Sequence, residues 1–218
     1  MKWCKLTQKR HRLPLLSLPS LQSLLFICLS LFSSCASQPA YNSGTVSSVN
    51  KNEYESIINK YTRHDRQYSG LYQTYEVQGT LLNSKVNQIL LQKKGFYHQW
   101  NGEKVRKERE KVMQSMSSET SLFFSFFTPK REHNDLNKGA TIWRVYLEVN
   151  GVRYEGHVKK SKDKLVDIKH LFSYHNRWST PYRVHFKAPM TAVEQTHSKV
   201  VFTSSIGTTI FEFPASKF

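Results

Sequence analysis

Residues 143–158 read WRVYLEVNGVRYEGHV. Apolar and polar side chains alternate on both sides of the Asn150-Gly151 pair, which is typical of half-buried strands. Asn-Gly is the preferred sequence of a two-residue type I′ turn, so the stretch predicts a β-hairpin. The register of that hairpin places Val149 opposite Val152, Leu147 opposite Tyr154 and Trp143 opposite Val158 on the core side, and Glu148 opposite Arg153 and Arg144 opposite His157 on the other side.

Most of the remaining chain also favours β-structure. Residues 70–82 alternate between apolar and polar side chains, and the aromatic run at residues 122–127 suits a strand buried on both sides or at an interface. Further strands are expected near residues 165–168, 182–187, 199–203 and 209–213. We therefore expect a mainly β domain: an antiparallel β-sandwich with an inserted or flanking pair of amphipathic helices.

Helices are expected near residues 52–62, 84–100 and 103–116. Asn52 with Glu55 suggests a capping box for the first helix, and Asn83 can cap the second. In the third helix, opposite charges recur four residues apart, so we interpret this charge run as a solvated face. Its charge pairs are Glu103 with Lys107, Lys104 with Glu108 and Arg106 with Glu110, and its expected buried stripe is Val105, Val112, Met113 and Met116.

The N-terminal region has a basic front, an apolar run at residues 24–32 and small residues before Cys35. This order is typical of an export signal. The segment Leu31-Phe32-Ser33-Ser34-Cys35 resembles the lipobox of bacterial lipoproteins, although Phe32 stands where an aliphatic residue is usual. The resemblance implies that residues 1–34 are a signal peptide and that Cys35 is acylated. It also implies a periplasm-facing lipid anchor in the cell envelope, at the outer membrane because Ala36 rather than Asp follows the cysteine.

Two other interpretations of the N-terminal region stay open. Ser34-Cys35-Ala36 also fits a cleavage site that would release a secreted protein. Residues 13–32 are about long enough for an uncleaved anchor, but Pro14, Pro19 and Gln22 interrupt their apolar character. Within the mature chain, Tyr61-Thr62-Arg63 and the run at residues 79–82 resemble segments of uncharacterised bacterial envelope lipoproteins, which supports the location alone.

Cleavage before Cys35 would leave one domain, residues 51–218, behind a flexible tether at residues 35–50. Removing five of the 32 basic residues and none of the 16 acidic residues gives the mature chain a net charge of +11. Cys4 and Cys28 leave with the signal, and Cys35 carries lipid, so the mature domain keeps no free thiol. This excludes disulfides, thiolate metal sites and a cysteine nucleophile.

The sequence contains no recognised hydrolase, zinc-protease or phosphate-loop motif, so we predict no catalytic residue, metal ligand or cofactor. An envelope hydrolase is the alternative. It would combine His170 and His175 with the His64-Asp65 pair, which we expect to lie in a polar turn or loop.

The basic surplus suggests a binding role. Lysines crowd the exit of the predicted hairpin, where they could meet lipid phosphates, lipopolysaccharide or another anionic envelope polymer. We expect a lipid-anchored, non-catalytic binding or assembly component, whose partners are the membrane, through its anchor, and envelope proteins or anionic polymers. Nucleic acid is not expected, because an exported domain rarely meets it. The candidate binding residues are Lys159, Lys160, Lys162 and Lys164.

Overall fold

A computed structural model describes residues 47–216; the lipobox-like segment and Cys35 lie outside the described residues. The described chain is mainly β, as predicted, and its eight antiparallel strands belong to one sheet. The strands are β1 Thr62–Ser69, β2 Tyr72–Leu81, β3 Thr120–Phe127, β4 Arg144–Val149, β5 Val152–Lys160, β6 Thr180–Phe186, β7 Ser198–Ser204 and β8 Gly207–Phe213. Their order across the sheet is β1-β2-β3-β6-β5-β4-β7-β8.

Strand β5 joins two halves of this sheet. Its residues 152–155 pair with β4, whereas its residues 156–160 pair with β6. Gly156 lies at the change of partner, where an added Cβ would be 2.7 Å from the carbonyl oxygen of Val145 and 2.6 Å from Cγ2 of Val184. A residue without a side chain is required there because the neighbouring strands approach so closely.

The two edge strands, β1 and β8, contact each other through side chains. The Arg63 guanidinium donates from Nε to the carbonyl oxygen of Glu212 at 2.8 Å. The Thr209 hydroxyl donates to Oδ2 of Asp65 at 2.5 Å. The sheet is therefore curled enough for side chains of its first and last strands to meet.

The hairpin prediction is confirmed at the turn. Asn150 and Gly151 both have positive φ, 52° and 73°, and Val149 pairs with Val152. Glu148 pairs with Arg153 as predicted and accepts a hydrogen bond from its guanidinium at 3.0 Å. Val152, however, is 49% exposed rather than part of the core.

The predicted register is wrong beyond Gly156. His157 pairs with His185 and Val158 with Val184, rather than with Arg144 and Trp143. The reason is the change of partner at Gly156, which takes β5 away from β4 after only a few residues. A register extrapolated from the turn holds only while both strands stay paired.

Five helices accompany the sheet within residues 47–216: α1 Lys51–Lys60, α2 Ser84–Tyr97, α3 Gly102–Ser118, α4 Leu165–Leu171 and α5 Met190–Gln195. The Asn83 cap is confirmed, because its side chain accepts from the backbone N–H of Val86. The Asn52 cap is wrong, since Asn50 caps α1. No helix in this part of the chain is long and apolar enough to cross a membrane.

Two other local predictions are wrong. Residues 165–168, predicted as a strand, begin α4, which buries Ile168 and Leu171 one helical turn apart. The His64-Asp65 pair, expected in a loop, lies on the edge strand β1. The sequence of β1 is polar and lacks the apolar alternation that indicates a strand.

Two apolar clusters stabilise the described chain. The larger fills the inside of the sheet, where Phe124 of β3 meets Phe202 of β7 with ring centroids 5.0 Å apart. The smaller lies outside β3, where α1, α2 and α4 cover Phe123. This second cluster holds α2 and α4 against the sheet and so positions the site described below.

Helix α3 contacts the rest of the chain less closely. Its three predicted charge pairs are confirmed, with N–O distances of 2.7 to 2.9 Å. The prediction of a buried stripe is wrong, because none of its residues is buried and Met113 is 65% exposed. The stripe instead lines an open groove of about 1100 Å³ between α2, α3 and α5.

Candidate functional site

The four predicted lysines are all exposed and are called here the basic surface: Lys159, Lys160, Lys162 and Lys164. Lys159 and Lys160 end β5, and Lys164 immediately precedes α4. Within residues 47–216, none of these side chains forms an ion pair or a hydrogen bond. Their charges are therefore free to meet an external anion.

Helix α3 provides the contrast. It carries a similar density of positive charge, but four of its five cations are paired with neighbouring glutamates. Lys104 and Lys111 both contact Glu108, at 2.9 and 3.0 Å. Charge density alone would not separate α3 from the basic surface, whereas the pairing of the charges does.

Exposed apolar side chains adjoin the basic surface. Leu165 and Val166 directly follow Lys164 and are 43% and 67% exposed. Lysines next to exposed aliphatic residues are typical of segments that lie in a membrane interface, where the charges meet headgroups and the apolar groups enter the acyl boundary. The arrangement can therefore contact an anionic lipid surface.

A second set of cations lies beside the basic surface, where the outer face of β3, β6 and β5 meets α2. Strand register places Phe123, Arg183 and Lys159 side by side across the three strands. Burial lowers the pKa of the Arg183 guanidinium. Lys94, from the last turn of α2, lies close enough that burial, and then the Arg183 charge, lower the pKa of its ammonium group.

Lys94 and Arg183 open into a cavity of about 100 Å³ between α2, α4 and β6. Its apolar side includes Phe123 and Phe172, which stack with ring centroids 4.0 Å apart. The other lining residues are Tyr97, His98, Asp163, Asp167, Ile168, His170 and Leu171. Sequence reasoning missed this cavity, because nothing in the sequence relates the end of α2 to a position on β6.

The structure does not bring the residues of the hydrolase alternative together. His64 contacts Glu76 at 2.8 Å, whereas Asp65 accepts hydrogen bonds from Arg66, Gln67 and Thr209. His175 is buried with its Nδ1 2.6 Å from the Ser125 hydroxyl. His170 instead lies against Tyr97, with ring centroids 4.6 Å apart. Because the four side chains have separate partners, they do not form a nucleophile, base and orienting group.

A serine and a histidine do meet on the outer face of the sheet. The Ser121 hydroxyl lies 2.9 Å from Nδ1 of His185, and Oε2 of Glu119 lies 3.5 Å from the same nitrogen. A catalytic triad instead requires the carboxylate on the ring nitrogen opposite the hydroxyl. The contact therefore does not match a triad, and we interpret it as a polar contact between β3 and β6.

Among residues 47–216, no group of three or more His, Cys, Asp and Glu side chains is placed to hold a metal ion. Comparisons with protein-family models, curated proteins and solved structures found no match to the chain.

Proposed function

We propose that the protein is a lipid-anchored, non-catalytic binding or assembly component of a bacterial cell envelope, and that its basic surface contacts an anionic layer there. The order of basic, apolar and small residues before Cys35 supports acylation at that position and attachment to the periplasmic face of the outer membrane. The short polar tether, residues 36–50, would keep the domain within reach of the headgroups.

The observation that carries the proposal is the unpaired state of the lysines. Within the described residues, these four exposed lysines have no carboxylate partner and precede Leu165 and Val166, whereas four of the five cations of α3 are paired. A face that only meets water does not require lysines to be kept apart from carboxylates. An anionic interface would supply the missing counter-charges and receive the two aliphatic side chains.

The electrostatic attraction between four lysines and an anionic membrane is large enough for binding. A lysine near an anionic membrane contributes about 1 kcal/mol, so the basic surface as a whole would contribute about 4 kcal/mol, which is roughly a thousandfold in partitioning. Salt weakens the attraction, because the Debye length falls from about 30 Å at 0.01 M to about 8 Å at 0.15 M ionic strength. Binding should therefore be strong at low salt and fade towards physiological salt.

The experiment uses the fragment 47–218, which retains both apolar clusters, so that a lipid anchor does not mask the contribution of the domain. Co-flotation is measured with phosphatidylglycerol and phosphatidylcholine vesicles across a salt series. The test variant replaces the four lysines of the basic surface with Gln. The matched control replaces Lys104, Arg106, Lys107 and Lys111 of α3 with Gln, which removes the same charge from a paired surface.

We expect the test variant to lose flotation with anionic vesicles while the control keeps it, and neither to float with phosphatidylcholine alone. The test variant should melt close to the wild-type temperature, since exposed charges contribute little to folding. Equal loss in both variants would mean that net charge acts rather than this surface. Undiminished flotation of the test variant would remove the basis of the proposal.

We further propose that the two halves of the sheet pack face to face as an antiparallel β-sandwich, with α2 and α3 as the flanking helix pair. The division of β5 between β4 and β6 supports this. So do contacts that cross the core between the halves, such as Tyr75 of β2 with Trp143, whose ring centroids are 4.9 Å apart.

A further inference from the structure

We propose that the cavity between α2, α4 and β6 binds a phosphate group, held between the ammonium group of Lys94 and the guanidinium of Arg183. This site is separate from the basic surface. Its cations come from α2 and β6, and it does not depend on the proposed membrane contact.

The two cations of the cavity lack a contacting counter-charge. Within the described residues, neither Lys94 nor Arg183 forms an ion pair or a hydrogen bond through its charged group. Both side chains are partly exposed, and burial of their charged groups lowers the pKa of each. Buried charges are normally paired because desolvation is costly. Asp163 acts on both cations only from beyond ion-pair distance, so two neighbouring cations that line one cavity without a contacting partner indicate that an anion completes the site.

The number and placement of the two cations favour phosphate as the anion. The two cations come from different elements, so a ligand with several acceptor oxygens can bind both at once. A guanidinium binds phosphate with two parallel hydrogen bonds, and an ammonium adds a point charge. A phosphate monoester carries close to two negative charges at neutral pH, which matches two cations, whereas a carboxylate neutralises only one. The cavity has room for this group with water.

The acidic residues of the cavity limit how the anion enters. Asp163 and Asp167 also line it, but neither lies within 4 Å of a cationic group of Lys94 or Arg183. Asp163 is exposed and accepts a hydrogen bond from Ser161 at 2.9 Å. Phe123 and Phe172 form the apolar side, and they strengthen the attraction by excluding water. The phosphate is therefore expected at the cationic end, away from the carboxylates.

The test measures inorganic phosphate binding calorimetrically, using the full chain in non-ionic detergent and a low-salt, phosphate-free buffer. Arg183→Met and Lys94→Met each remove one cation while keeping an apolar stem. Lys138→Gln is the matched control, because Lys138 is exposed and does not line the cavity. We expect each Met variant to bind roughly tenfold more weakly or worse, and the control to stay within about twofold of the wild type.

Melting curves separate loss of binding from loss of the fold. Without phosphate, Arg183→Met should melt at or above the wild-type temperature, because it removes an unpaired buried charge. Phosphate should raise the melting temperature of the wild type and not that of the variant. Asp167→Asn should bind phosphate more tightly, since it removes a repulsive charge from the cavity.

Two comparisons fix the ligand class and its source. Acetate should bind much more weakly than phosphate. Adding phosphatidic acid to the micelles should compete with free phosphate if the group belongs to a lipid headgroup, and leave binding unchanged if the ligand is free phosphate. Absent phosphate binding, acetate binding of equal strength, or unchanged affinity in both Met variants would overturn the proposal. Replacing the basic surface with Gln should leave phosphate bound, so the two proposals can fail independently.

Discussion

Gly156→Ala tests the change of strand partner on which the fold depends. The new methyl group would lie 2.6 Å from Cγ2 of Val184, 2.7 Å from the carbonyl oxygen of Val145 and 2.8 Å from Cε1 of Phe186. Overpacking a tight site costs about 1 to 3 kcal/mol. Because one of these neighbours is backbone and cannot rotate away, we expect the upper end, about 3 kcal/mol.

The assay is thermal unfolding followed by circular dichroism. For a domain of this size, each kcal/mol lowers the melting temperature by about 2 to 4 °C, so Gly156→Ala should melt about 6 to 12 °C below the wild type. Gly139→Ala is the matched control, since an added Cβ there would meet nothing within 4 Å. If Gly156→Ala melts with the wild type, the strands do not approach as described and β5 does not change partner at this residue.

Three further predictions concern the turn, the anchor and the edge contact. Gly151→Val should lower the free energy of unfolding by about 1 kcal/mol or more, because φ is 73° there; an unchanged denaturant midpoint would contradict the turn. Cys35→Ser should abolish incorporation of labelled palmitate in cells, and normal labelling would remove the anchor. At the edge contact, burial raises the pKa of Asp65, but hydrogen bonds from Thr209, Gln67 and the Arg66 N–H outweigh burial. The pKa of Asp65 therefore lies below its ordinary value. Ionised Asp65 therefore stabilises the fold above the unfolded-state pKa, and this stabilisation is lost as pH falls through the folded-state pKa. Acidification from about pH 5 to pH 3 should lower the melting temperature of the wild type more than that of Asp65→Asn. Equal falls in the two melting temperatures would refute this prediction.

Local signals made part of the fold predictable. The Asn150-Gly151 turn needs only its own backbone conformation, and the Asn83 cap needs only the next helical turn. The pairing beyond Gly156 was not predictable, because it depends on β6, which is distant in sequence. Residues 165–168 have apolar side chains that suit a strand, yet a helix forms because Ile168 and Leu171 can both pack on the cluster around Phe123.

Some features of the candidate sites could also be predicted from the sequence, and others could not. The lysines of the basic surface are close together in the sequence and could be named from it, but their unpaired state could not. The stripe of α3 has helical spacing, which predicts burial, but no element among residues 47–216 buries Met113. Lys94 and Arg183 carry no sequence signal, since their relation is created by the packing of α2 and α4 on the outer face of the sheet.

Photocrosslinking in intact cells identifies what the basic surface contacts. A photoreactive residue is placed at Lys162 in the basic surface and, as the control, at Lys107, which is paired with Glu103 at 2.7 Å on α3. Adducts are identified by mass spectrometry. The account predicts adducts with an anionic lipid or envelope polymer at position 162 and none at position 107. Equal anionic adducts at both positions, or none at position 162, would contradict it.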